Sequence, residues 1–250
     1  MIQPDWKFAM VIGASSGLGE QIARKLAATG CRVALVARRE ERIRQIAIDI
    51  NGPTLNLAMP FSFDVLDFEN AATNFEYIVQ DLGGLDIVFY VAGVMPMVGP
   101  TEYDINKDKN IVDTNLIGAM AWLNPAAKRF ERAKSGIIVG VGSVAGDRGR
   151  RGNPAYGASK AGLECYLESL RNRLAVQGVN VVTVKPGPVE TEMTAKRGKQ
   201  PFMISAQRAA SLIIDAAKRS NRTVYVPWRW WLISRIIRMI PSFVFRRLNI

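Results

Sequence analysis

The chain reads as an α/β protein in which helices cover both faces of a mostly parallel sheet, the doubly wound arrangement. Three observations predict it. Short apolar runs alternate with longer amphipathic stretches, several runs are apolar throughout as a strand buried on both faces requires, and a glycine-bearing turn follows the first run. Consecutive parallel strands need crossover connections, and crossovers place the helices on the faces of the sheet. In such a sheet ligands bind beyond the carboxyl ends of the strands.

Residues 8–12 (Phe-Ala-Met-Val-Ile) form the first expected strand, followed by the turn and a helix over 17–28. The second strand is 32–36 and the second helix 40–50; the third strand lies within 56–63 and ends at Asp64, with a helix over 68–82 behind it. Residues 85–91, 136–141 and 179–184 read as three more buried strands, separated by long helical stretches over 109–132 and 154–176. No internal repeat or low-complexity linker interrupts the pattern, and composition shifts only near Lys218. A chain of 250 residues, 48% apolar, is expected to close one core: a single domain over 1–227, then a basic, aromatic-rich segment over 228–250.

Histidine is absent, which removes the commonest general base, the Ser-His-Asp triad and most zinc sites. Acid–base chemistry therefore falls to Tyr, Lys, Asp or Glu, and no metal is expected. Cys31 and Cys165 lie far apart, in a strand start and a helix, and fit reduced packing residues better than a disulfide or a metal site. Neither a basic leader with an apolar stretch nor an arginine-rich amphipathic pattern opens the sequence, so a cytoplasmic location is expected. The net charge is +11, yet eight Lys or Arg follow the last acidic residue, Asp215, which leaves +3 for residues 1–215. The basic character belongs to a tail rather than to a general polyanion-binding surface, and nucleic acid is not an expected partner.

Gly13-Ala14-Ser15-Ser16-Gly17-Leu18-Gly19 joins the first strand to the first helix. Glycines there let the backbone turn sharply and approach a pyrophosphate, whose charge is favoured by the free N–H groups and dipole at the helix start. Alone, Gly-x-x-x-Gly-x-Gly is no more than a glycine-rich turn; on the first strand-to-helix turn of this architecture it marks a dinucleotide site. Where an NAD site offers Asp or Glu to the ribose 2′-hydroxyl, about twenty residues on, the chain has Ala37-Arg38-Arg39. A guanidinium there suits a dianionic 2′-phosphate, so NADP(H) is the expected cofactor, the alternative being two solvated charges opening the next helix.

Tyr156 and Lys160 stand four apart near a helix start and so share a face. A free phenol, pKa about 10, is a sluggish acid at neutral pH; an adjacent ammonium favours the phenolate, as a proton donor to a developing alkoxide requires. Tyr-x-x-x-Lys also arises by chance on many helices. Ser143, just past the run 136–141, places a hydroxyl where it can donate to a substrate oxygen.

Taken together, over Phe8 to Val226, these motifs resemble those of the single-domain short-chain dehydrogenase/reductase family. The resemblance implies a Rossmann-type fold in which Ser143 orients and polarises the carbonyl and Tyr156 transfers the proton. Lys160 would lower the tyrosine pKa and hold the nicotinamide ribose, while Asn115, in Asp113-Thr114-Asn115, would support a water-linked proton relay. It further implies that Asp64 and Val65 contact the adenine, that Ala92-Gly93 lines the cofactor, and that Pro186-Gly187-Pro188-Val189-Glu190-Thr191 meets the nicotinamide, with Thr191 near its carboxamide. Two positions depart from the family pattern: Ile12 stands where Thr is common, and Val91 where Asn is common. The activity implied is hydride transfer between NADP(H) and a carbonyl or secondary alcohol, with reduction the favoured direction, in a dimer or tetramer built through the long helices. The rival readings are a dinucleotide-binding regulator and a membrane-surface protein of the same fold, each with little turnover.

By the same resemblance residues 190–203, with Met193, Lys196, Arg197, Lys199 and Met203, cover the substrate. With Val94-Met95-Pro96-Met97 they suggest a thioether-rich wall for an apolar substrate, or else methionines filling core gaps. Residues 228–250 are too interrupted by arginines and by Pro241 to supply the roughly 20 mainly apolar residues of a bilayer span. On a helix, Ser234, Arg235 and Arg238 fall on one side and Ile233, Ile236, Ile237 and Ile240 cover much of the rest. Tryptophans at headgroup depth and arginines drawn to anionic lipid then suggest peripheral contact with the inner face of a membrane. A helix that packs on its own domain, lids the pocket or meets a partner subunit fits the same pattern.

Overall fold

The computed structural model describes residues 6–99, 101–195, 198, 200–220 and 222–248. Its centre is a sheet of seven parallel strands among the described residues: β1 (Phe8–Ile12), β2 (Arg32–Val36), β3 (Ala58–Phe61), β4 (Ile87–Tyr90), β5 (Ile137–Val141), β6 (Asn180–Pro186) and β9 (Thr223–Val226). The spatial order is β3-β2-β1-β4-β5-β6-β9, so the chain winds outward in one direction from β1 and then in the other from β4. The crevice at that reversal is where a doubly wound sheet takes its ligand.

Strand residues alternate between two cores, which is why these runs are apolar at every position. Ala9 and Val11 point into a cluster with Ile22 and Leu26 of α1 (Gly17–Ala28), Ile43 of α2 (Glu40–Asn51) and Ile213 of α7 (Ala206–Lys218). Met10 and Ile12 point the other way, to Phe75 of α3 (Ala71–Leu82), Trp122 of α5 (Gly118–Ala133) and Leu167 of α6 (Pro154–Leu174). A period of two along the strand divides one run between two helical layers.

Several elements differ from the sequence expectation for local reasons. The helix expected over 109–132 starts earlier, as α4 (Ile105–Val112), because the Asp104 carboxylate caps it by accepting from the amides of Asn106 and Lys107. A π-helical turn, Asp113–Ile117, then joins α4 to α5. The third helix begins at Ala71 rather than 68, after a turn in which Asp67 accepts from Asn70. Strand β6 runs on to Pro186 and takes in Lys185, a charge that hides a strand end from a reading by apolarity. The short pair β7 (Val189–Glu190) and β8 (Ile204–Ser205), helix α7 and strand β9 were not foreseen as elements.

Cys31 is the packing residue expected, buried so that its thiol is pushed up to about 12. Cys165 is not: it lies exposed on α6. Helix α8 (Arg229–Met239) and the single turn α9 (Ser242–Phe245) close the described chain. Here the expected polar side is corrected, since Ser234 is 1% exposed and packs inward with Trp230 and Ile237, while Arg235 and Arg238 stay exposed. No described helix is long and apolar enough to cross a membrane.

Candidate active site

Because the seven strands are parallel, their carboxyl ends share one edge, and the sequence-predicted residues gather along it. The turn 13–19 follows β1, Arg38 and Arg39 follow β2, Asp64 and Val65 follow β3, Ala92 and Gly93 follow β4, Ser143 follows β5, and Gly187 follows β6. The turn is as tight as the motif implies. Gly13 sits at φ +95°, and a Cβ on Gly19 would lie 2.1 Å from the Gly13 carbonyl oxygen, so α1 starts directly against the turn. Ser16 precedes α1 without a side-chain capping bond, an arrangement suited to an anion at the helix start. Thr191 packs on the same turn, its Cγ2 3.0 Å from where a Gly17 Cβ would be.

The two arginines have different environments. Arg39 reaches back to the turn, donating to Ser15 Oγ (2.9 and 3.1 Å) and Ser16 Oγ (2.5 Å), and pairs with Glu192 at 3.0 Å. These contacts, with Arg42 nearby, hold the Glu192 carboxyl below its usual range. Arg38 is largely exposed, 3.9 Å from Asp64.

Lys160 lies on the first turns of α6, fully buried, with Nζ 5.9 Å from the Tyr156 ring centroid and donating to the Val141 carbonyl at 2.9 Å. Burial pushes its pKa down from 10.5 to about 8, against the upward pull of Glu164. Tyr156 is half-buried, its helix start fixed by Asn153, which adopts a left-handed backbone (φ 55°), caps the Tyr156 amide and donates to the Pro96 carbonyl. Asn115, wholly buried on the π-helical turn, exchanges hydrogen bonds with both the amide and the carbonyl of Val94 and donates to Ser159 Oγ. A Cβ on Gly93 would touch both Asn115 Oδ1 (3.1 Å) and Lys160 Nζ (3.4 Å), so a side chain there would fill the space between them.

Ser143 is held by a group that sequence reasoning missed. Its amide donates to Glu164 Oε1, and its Oγ accepts from the Ala145 amide. Glu164 shares a buried cluster with Lys185 (2.7 Å) and Asp147, and Tyr225 Oη donates to Asp147 at 3.1 Å. Burial raises the Glu164 carboxyl while Lys185 opposes the rise; burial likewise works to lower Lys185, but the two carboxylates outweigh it and hold the ammonium above its usual range. The available signal was spacing: Glu164 lies four residues beyond Lys160 on the same helix face, and Lys185 is the lone charge in an apolar strand.

Two further residues frame the edge from outside. Trp230 of α8 lies flush on Gly187, its indole Nε1 2.0 Å from where a Gly187 Cβ would be. Arg148, five residues past Ser143, donates to the carbonyls of Ile237 and Ile240 at the end of α8. Of the predicted methionine wall, Met95 and Met203 are half-buried while Met97 and Met193 are exposed; Lys196, Arg197 and Lys199 lie outside the described residues. A groove of about 980 Å³ between α3 and α5, lined by Phe68, Glu76 and Arg129 among others, contains none of the candidate residues.

A parallel sheet wound in this order, with a glycine turn at its switch point and a half-buried tyrosine beside a buried lysine on the same edge, defines a dinucleotide-dependent class of protein. Comparison makes that class definite. The family profile described as short chain dehydrogenase matches residues 7–201. An uncharacterized oxidoreductase of Myxococcus xanthus is 32% identical over 246 residues, 98% of this chain and 97% of the relative. A solved short chain dehydrogenase/reductase family protein superposes with a TM-score of 0.79 at 27% identity, over 90% of this chain and 97% of the other. A short-chain type dehydrogenase/reductase from Mycobacterium marinum, at 24% identity and a TM-score of 0.82, covers 90% and 95% and bears on the fold alone. The chain belongs to the short-chain dehydrogenase/reductase family and is an oxidoreductase of that family, whose members use nicotinamide dinucleotides.

Proposed function

We propose that this oxidoreductase uses NADP(H) and reduces a carbonyl to a secondary alcohol, with Tyr156, Lys160, Ser143 and Asn115 as its working residues. The observation that carries the reading is the Tyr156–Lys160 pair: a lysine kept fully buried against its preference for water, one helix turn from a half-buried phenol, at the edge where the family's cofactor lies. When bound, the dinucleotide supplies the hydride to the carbonyl carbon. Tyr156 gives its phenolic proton to the carbonyl oxygen as charge builds there, and the Lys160 ammonium stabilises the phenolate left behind. Ser143 donates a hydrogen bond to the same oxygen, its position fixed by Glu164 beneath its amide. Asn115 ties the loop after β4 to α6 and lines the way to Lys160 by which a proton is replaced. In oxidation the phenolate accepts the proton instead.

The preference for NADP(H) rests on Arg38 and Arg39 at the end of β2 and on Ala37, which offers no carboxylate to a ribose hydroxyl. In this reading Gly13, Ser15, Ser16, Gly17, Leu18 and Gly19 hold the pyrophosphate, and Asp64, Val65, Ala92, Gly93, Pro186, Gly187, Val189 and Thr191 line the rest of the cofactor. Flanking methionines suit an apolar substrate, and pairing of copies through α5 and α6 into a dimer or tetramer belongs to the same proposal. The test is fluorescence titration with NADPH and NADH, followed by a carbonyl panel with NADPH deuterated at the transferable position. Tighter NADPH binding and deuterium at the carbinol carbon support the reading. Binding without turnover across the panel would favour a regulator, and equal affinity for the two cofactors would remove the assigned role of the arginines.

A further inference from the structure

Helix α8 already has a buried face. Trp230, Ser234 and Ile237, at i, i+4 and i+7, are 8% exposed or less, with Trp230 against Gly187 and edge-on to Phe202. Arg148 locks its carboxyl end by binding the carbonyls of Ile237, Arg238 and Ile240 there and lying 3.9 Å over the Phe245 ring. A surface helix anchored in this way is expected to turn a polar face to water. This one does not. Leu232, Ile236 and Met239, again at i, i+4 and i+7, are 50%, 55% and 82% exposed, and lie roughly 180–240° round the helix from Trp230. Trp228 and Trp231 stand at one end of that stripe and Phe243 and Val244 of α9 at the other, all exposed.

The charges around the stripe indicate what covers it. Arg229, Arg235 and Arg238 flank it, Arg246 and Arg247 follow, and no acidic residue occurs after Asp215. Arg235 lies 4.3 Å over the Trp231 ring, its stem along the apolar surface and its charge at the rim. Pairing of this face with itself in a second copy would set arginines near arginines across a two-fold axis, with no carboxylate to relieve them. An anionic lipid surface answers both features at once, with acyl chains for the aliphatic stripe, headgroup depth for the tryptophans and lipid phosphate for the arginines. We propose that α8 and α9 dock this protein on an anionic bilayer, lying in the plane of the interface rather than crossing it. The docked face is then one helix diameter, about 10 Å, from the Gly187 edge of the candidate active site.

The test is flotation of the full chain with vesicles of phosphatidylcholine alone, and of phosphatidylcholine carrying about 30% phosphatidylglycerol. The protein is expected to float with the second and much less with the first, and to lose flotation as salt rises. Leu232→Ser/Ile236→Ser/Met239→Ser should abolish flotation, and Arg235→Gln/Arg238→Gln should weaken partitioning roughly fivefold per arginine, with near-UV circular dichroism unchanged. Failure of the wild-type chain to float with the anionic vesicles overturns the proposal regardless of how the variants fold. So does flotation that neither set of substitutions alters, or a dimer in sedimentation that the apolar substitutions dissolve, which would make a second copy the occupant.

Discussion

Replacing Lys160 by Met separates a working residue from a structural one, because the two roles predict opposite signs. The drop of its pKa from 10.5 to about 8 corresponds to roughly 3 kcal/mol of burial cost against the ammonium. Methionine fills similar space without that cost, although the Val141 carbonyl loses its donor at about 1–2 kcal/mol. The variant is therefore expected to be about 1–2 kcal/mol more stable than the wild type at pH 7. Its catalysis should move the other way. At an effective dielectric constant of about 20, a unit charge 5.9 Å from the phenol ring is worth about 3 kcal/mol to the phenolate, or roughly a hundredfold in rate. The pH dependence gives a second reading. Between about 8 and 10.5 the unfolded chain holds a proton that folded Lys160 has released, so this group makes wild-type stability rise with pH across that window. That rise should vanish in the variant. The assays are urea unfolding from pH 7 to 10.5 and NADPH oxidation with the best carbonyl of the panel. A variant that loses several kcal/mol and keeps its turnover would refute the reasoning.

Arg38→Ala/Arg39→Ala should weaken NADPH binding by at least about a hundredfold and NADH binding under threefold, since charge-assisted bonds to a phosphate contribute about 1.5–3 kcal/mol each; fluorescence titration reads both. Lys185→Met leaves Asp147 and Glu164 buried without their cation, and unfolding should show a loss of about 3–5 kcal/mol at pH 7 that shrinks as the pH falls and Glu164, already raised by burial, protonates. Gly187→Ala drives a methyl into the Trp230 indole, and overpacking of this kind costs about 1–3 kcal/mol; loosened α8 should show first, as faster cleavage by trypsin at Arg235 and Arg238.

Most of the fold was legible because strand position and apolarity coincide. Where every residue of a run meets one of two cores, as Phe8 to Ile12 nearly do, the run announces itself. Legibility failed where a charge earned its burial by pairing, as Lys185 does in β6, and where a backbone bond rather than a pattern set a boundary, as Asp104 does for α4. The glycine turn, Ser143, Tyr156 and Lys160 were legible through their spacing taken together with their placement at strand ends and helix starts, and the structure sets them on one edge. Glu164 shares a helix face with Lys160, but its seat beneath Ser143 and the clamp of Arg148 on α8 were not visible, since these contacts join residues 21 and 89 or more positions apart that no local period records. Ser234 was misplaced because its polarity suggested water, whereas packing of Trp230 and Ile237 turns that face inward.

The central claim is that the Tyr156 phenol delivers the proton while a nicotinamide delivers the hydride. Single-turnover reduction by preformed Tyr156→Phe·NADPH complex tests it most directly. NADPH affinity should be unchanged, with hydride transfer slowed by about a hundredfold to ten-thousandfold. Transfer at the wild-type rate in that complex would contradict it.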